Sequence, residues 1–104
     1  MQFHDAYRIL ASQNVAYAAA GGSSAPSNAF SSQTRYIRVL AVGVVSATID
    51  GVRIAIDTAP VASSTTVLLA VNMPEVFKVS SGQKIAVLGN NTGTGTVNVT
   101  ELTD

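Results

Sequence analysis

Residues 74–102, PEVFKVSSGQKIAVLGNNTGTGTVNVTEL, decide the fold class, because they hold three extended runs separated by two turns. In residues 75–79, Phe77 and Val79 point one way and Lys78 the other, the period-two pattern of a half-buried strand. Ser80-Ser81-Gly82 breaks the run. Residues 83–89 resume it with Ile85 and Val87 on one face and Lys84 and Ala86 on the other. The two runs read as a hairpin whose apolar side carries Phe77, Val79, Ile85 and Val87. Residues 89–95, GNNTGTG, form a loop, since glycine and asparagine tolerate positive φ and nothing in the run is fit for burial. Residues 96–102 then place Val97 and Val99 inward and Asn98 and Thr100 outward, with β-branched side chains that lose little by being held extended. Three antiparallel strands in succession make a meander. A helical stripe here would have to include Ser80, Lys84 and Asn91, so the helix template fails.

The rest of the chain repeats the same theme. Residues 1–11 fit either one helical turn, through Phe3, Ala6, Tyr7 and Leu10, or an extended arm, and the arm is preferred. Val15 and Tyr17 alternate with Asn14 and Ala16 in a short strand over residues 12–18. Residues 19–32, AAGGSSAPSNAFSS, cannot bury enough surface to order themselves and read as a long loop. Phe30, its one large apolar residue, is expected to plug a core edge in preference to reaching a partner. Residues 34–45 begin as an alternating strand with Ile37, Val39 and Ala41 on one side and Tyr36 and Arg38 on the other. Leu40, Val42, Val44 and Val45 then make both faces apolar, as in a strand covered on two sides, and the second cover is expected to be another copy of the chain. Asp50-Gly51 signals a turn. Val52, Ile54 and Ile56 alternate with Arg53, Ala55 and Asp57, residues 58–66 are loop, and residues 67–71 are a short apolar strand. Pro74 belongs at a strand start or an edge. Six or seven short strands at intervals near ten residues specify an all-β, antiparallel, jelly-roll-like sandwich of six to eight strands. Its single domain spans residues 12–104, preceded by an arm over residues 1–11.

Six basic and six acidic residues among 104 leave no net charge, so nothing marks the chain for nucleic acid or an anionic membrane. Charged residues make up 12% of the chain against a globular norm of roughly 25%. A surface so poorly charged favours self-association or a partner. Cysteine is absent, which removes disulfides and thiolate chemistry. The amino terminus has no basic and apolar leader, and Arg38, Gly43 and Asp50 interrupt the apolar runs, so a soluble protein without secretion signal is expected.

Chemistry finds little to build on. His4 is the only histidine and has only Asp5 beside it. Asp50 and Asp57 read as a turn residue and a strand end, and Glu75 and Glu101 stand on separate strands without a second carboxylate. The glycine-rich 89–95 loop joins two strands and lacks the lysine and following helix of a phosphate cradle. No catalytic residue, metal ligand or cofactor is therefore expected. The scattered aromatics, without tryptophan, are poor platforms for sugar stacking.

The segments SQNVAY, TRYIRVLA, DGVRIAI, PEVFKVSSGQKIAVL and GTVNVTEL, in that order, resemble small structural proteins of tailed bacteriophages over residues 12–102. The most specific part is the carboxyl half, where Pro74, Phe77, Val79, Gly82, Gln83, Ile85, Val97, Val99 and Glu101 fall at the matching places. Ser80-Ser81-Gly82 departs from the pattern in lacking a proline before the glycine. The resemblance implies a capsid decoration, or cement, protein: a jelly-roll-like trimer made in the host bacterial cytoplasm and placed on the capsid surface of the virion. Its partners would be the major capsid protein and its own copies, with neither nucleic acid nor membrane. A tail, neck or fibre-base component and a carbohydrate-binding host-attachment module are the alternatives. The candidate interface residues are Phe3, Tyr7, Tyr17, Phe30, Tyr36, Arg38, Leu40 and Val42.

Overall fold

Valine and isoleucine at every second position fix which side of each strand is buried, and the backbone then pairs strands so that those sides meet. The computed structural model describes residues 7–18, 22–44, 51–90 and 94–104. Seven strands run through them: β1 (Arg8–Ala18), β2 (Tyr36–Val44), β3 (Gly51–Asp57), β4 (Val67–Ala70), β5 (Glu75–Lys78), β6 (Lys84–Gly89) and β7 (Thr94–Thr103). No described residue is helical. The strands form two antiparallel sheets, ordered β1-β7-β2-β5 and β4-β3-β6. Between them Val15, Ile37, Val39, Val97 and Val99 meet Val52, Ile54, Leu69, Ile85 and Val87 in one core. Each such side chain contributes about 1.5–3 kcal/mol on full burial.

The alternation assigns faces correctly and pairings incorrectly. No hairpin joins β5 to β6: β5 pairs with β2 through Tyr36↔Lys78 and Ile37↔Phe77, while β6 pairs with β3 through Ile56↔Ile85 and Ile54↔Val87. Residues 80–83 carry the chain from one sheet to the other, and it crosses back before β7. The expected meander is therefore three strands that alternate between sheets. Phe77, Val79, Ile85 and Val87 still point into a common interior, from opposite walls.

The crossing turn is closed by Gln83, whose N–H donates to Ser80 O at 3.2 Å while its Oε1 accepts from Ser80 N–H at 2.8 Å. Gly82 sits there at φ +83°, the left-handed region in which other residues carry a steric cost. A Cβ added at Gly82 would meet nothing within 4 Å, so only the backbone term remains. Gly82→Ala is expected to lower stability by about 1–2 kcal/mol, seen as a lower urea midpoint at unchanged slope.

Residues 24–30 depart most from expectation. They form no regular strand, yet they are bonded along the free edge of β6. Ser24 N–H donates to Val87 O at 2.8 Å and Ser27 N–H to Ile85 O at 2.8 Å. In return, Ser24 Oγ accepts from Val87 N–H and Ser27 Oγ from Ile85 N–H, each at 3.0 Å. Serine hydroxyls stand where a neighbouring strand would offer carbonyl oxygens. Phe30 continues the pattern, donating to Gln83 O at 2.9 Å and accepting from Gly82 N–H at 3.0 Å. The segment cannot order itself, but β6 and the core order it. Counted as a strand, it gives sheets in chain order 1-8-3-6 and 2-7-4-5, the arrangement of a jelly roll.

β1 begins at Arg8 and pairs with β7 from Arg8↔Thr103 to Ala18↔Thr94, with a bulge between Ile9 and Ala11. Residues 8–11, expected in the arm, thus belong to the sheet. Phe3, His4 and Asp50 lie outside the described residues. Glu101, which shares a face with Ile37, points inward and is buried. It accepts from Thr34 Oγ1 at 2.6 Å and from Ser31 N–H at 2.9 Å, and Thr34 has no exposed surface. This carboxylate anchors the turn that leads into β2.

Candidate interaction surface

Residues directly paired in an antiparallel sheet share a face, so the register maps the outside of the four-stranded sheet. Ile37, Val39 and Ala41 are buried inward, which turns Tyr36, Arg38, Leu40 and Val42 outward. Their partners on β7 are Leu102, Thr100, Asn98 and Thr96, and those on β5 are Lys78 and Val76. Across β7, Ile9, Ser12, Asn14 and Ala16 of β1 complete the face. Tyr7 joins it, its ring 5.0 Å from that of Tyr36 with the planes at 54°.

The face is apolar at its margins, and a polar hydrogen-bonded band crosses its middle beside Arg38. Ile9 is 70% exposed, Val42 and Val76 47% each, and Tyr7 42%. Tyr36, Arg38 and Leu40 are half-buried. Between the margins, Asn98 Nδ2 donates to Ser12 Oγ and to Asn14 Oδ1, both at 3.0 Å, and Asn98 Oδ1 accepts from Thr100 Oγ1 at 3.2 Å. That band is satisfied by its own members.

The outside of the three-stranded sheet is partly covered by the chain itself, although Leu68 on β4 is 48% exposed and Val61 in the covering segment 69%. Ala86, turned outward opposite Ala55, has no exposed surface, and Ala62 in the 58–66 segment is 3% exposed. Ala62 N–H donates to Ser23 Oγ at 3.0 Å, and Arg53 Nη1 donates to Thr66 O at 3.0 Å, which fastens the segment down. Asp57 and Lys84 are in register on this sheet.

Of the candidate interface residues, Tyr7, Tyr36, Arg38, Leu40 and Val42 come together on the outer face of the four-stranded sheet. Tyr17 does not and is corrected to a core residue, 6% exposed, while Phe30, 3% exposed, takes the core place expected of it and not the interface one. Tyr17 follows the inward parity of Val15 and lies opposite Gly95, which has no side chain to exclude its ring. Its hydroxyl donates to Val42 O at 3.4 Å. Ile9 and Val76 were not among the candidates. Only the pairings Ile9↔Leu102 and Val76↔Arg38 put them beside the others, and sequence alternation does not specify pairings.

Among the described residues no three side chains of metal-ligating type gather, and no helix is long and apolar enough to cross a membrane. An open cleft beside β1 and another between β3 and β5 are lined without an ionisable side chain. No protein-family model, curated protein or solved structure matches the chain.

Proposed function

We propose that this chain is a decoration protein of a tailed-bacteriophage head, seated on the major capsid protein lattice through the outer face of its four-stranded sheet. The observation that carries the reading is the gathering of exposed apolar side chains from separate elements on the outer face of the four-stranded sheet. Tyr7, Ile9, Val42 and Val76 meet solvent there, whereas on the other sheet residues 58–66 cover part of the outside and leave Val61 and Leu68 exposed. An apolar face crossed by a hydrogen-bonded polar band suits a role of contact, and the resemblance of residues 12–102 to phage structural proteins supplies the partner.

Such a role needs no catalysis. A trimer at a junction of capsomers makes several modest contacts at once, each on the order of 800 Å² per partner, and linkage raises their combined strength. Binding only the assembled lattice then stabilises that lattice by mass action.

The test is binding of labelled chain to mature shells that lack it. Saturable binding at hundreds of copies per particle is expected, and Val42→Asp and Leu40→Asp should each weaken it at least about tenfold, or about 1.4 kcal/mol, with circular dichroism unchanged. No binding would sink the proposal, and a few copies per particle in quantitative mass spectrometry would move the chain to a tail, neck or fibre base.

A further inference from the structure

The charged side chains that the described strands turn to the outer face of the four-stranded sheet are both basic. Arg38 and Lys78 face outward, in register with Val76 and Tyr36. Of the described acids, Asp57 is on the other sheet opposite Lys84, Glu101 is buried on the inward side, Glu75 is in register with Val39 and exposed at the sheet edge, and Asp104, just past the end of β7, stands at the rim of the face. Arg35 and Arg53 donate to Ser32 O and Thr66 O, but no described residue gives Arg38 or Lys78 a hydrogen bond or an ion pair. Arg38 is half-buried between Val76 and Thr100, so a carboxylate brought against its guanidinium by a partner would meet donors that no described residue engages.

From this we infer that the surface seated on this face is an acidic, apolar protein surface whose carboxylates pair with Arg38 and Lys78, and not a second copy of this chain. The inference rests on the proposed seating on a shell and adds the chemistry of the shell's side. Two copies packed face to face would bring Arg38 and Lys78 of both into one desolvated contact with no outward acid on the described strands to answer them, which is repulsive. A partner with carboxylates between apolar residues removes that cost and gains the fork geometry of arginine on carboxylate. Nucleic acid is a poor fit, because two cations set among Tyr7, Ile9, Leu40 and Val42 in a chain of zero net charge cannot track a phosphate backbone. Copies of this chain are left to meet through other surfaces.

Seating on shells measured against salt and charge tests the inference. Wild-type seating should weaken at least about fivefold as sodium chloride rises from about 0.05 to about 0.5 M, where screening shortens severalfold. Arg38→Glu should weaken it more than tenfold and Arg38→Gln less, Lys78→Glu should act in the same direction, and Lys84→Glu on the other sheet should leave it unchanged, all with wild-type circular dichroism. If wild type seats but Arg38→Glu and Lys78→Glu seat equally well, the inference falls and the proposed function stands. If wild type does not seat at any salt, both fall. Two further results would overturn the acidic protein partner: a single-stranded oligonucleotide that binds wild type and not Arg38→Glu, or a dimer in sedimentation that Val42→Asp dissociates.

Discussion

Replacing Phe30 by alanine is expected to lower the unfolding free energy by about 3–5 kcal/mol, the range for emptying an aromatic site in a core. Domains of this kind have only about 5–15 kcal/mol in total, so the variant should stand near its folding limit. The effect should also be local. The backbone of Phe30 makes the bonds to Gln83 and Gly82 that hold the last part of the 24–30 segment against β6. With the ring gone, the segment loses its only large buried side chain, and the Ser24 and Ser27 hydroxyls must hold β6 without it. Hydrogen exchange should therefore show Ile85 and Val87 amides, which donate to those hydroxyls, opening well before the Val97 and Val99 amides inside the other sheet. Phe30→Leu should restore most of the stability. Equal protection of all four amides in Phe30→Ala would mean that the segment is not clamped by this ring.

The second large effect is expected at Glu101. Glu101→Ala should destabilise by about 3 kcal/mol, the loss of two hydrogen bonds to a buried charged acceptor together with donors left without partners. The donors are specific. Thr34 Oγ1 gives its proton to the carboxylate, so it accepts from Ser31 Oγ at 2.9 Å, and Ser31 Oγ in turn accepts from Gln33 N–H at 3.3 Å. Glu101→Gln keeps an acceptor oxygen in place and should cost about half as much. In a double-mutant cycle with Thr34→Val, urea unfolding should give a coupling of at least about 1 kcal/mol. Additive losses would show that Glu101 and Thr34 stabilise the turn independently.

Phe30 was legible as a core plug, but its clamp on β6 was not, and neither was the role of Glu101, for the same reason. Alternation reveals the face a side chain occupies, because the pleat has a period of two whatever the strand pairs with. It placed Ile37, Val39 and Ala41 inward and Tyr36 and Arg38 outward, and it put Val97 and Val99 in the core. Pairing depends on residues far apart in the chain. Hence β5 and β6, adjacent in sequence with a plausible turn between them, read as a hairpin although they lie in different sheets. Composition failed at residues 24–30 in a related way. Serine, proline and asparagine describe a segment with no core of its own, but two serines three positions apart can still match the edge of a strand that supplies what they lack. Glu101 looked solitary because its partners, Ser31 and Thr34, are some seventy residues away. The candidate surface was half legible: Tyr36, Arg38, Leu40 and Val42 follow from one strand, whereas Ile9 and Val76 come from two others.

The serine seal on β6 bears on solubility at high concentration. A chain with so few charges cannot rely on mutual repulsion to keep copies from adding strand to strand into cross-β aggregates. Geometry does that work instead. Hydroxyls already occupy the β6 amides that an incoming chain would need, β4 and β5 are only four residues long, and the bulge after Ile9 interrupts the longest exposed border, β1. Crowding hundreds of copies together would then be tolerated without the electrostatic gatekeepers that most β proteins place along their margins.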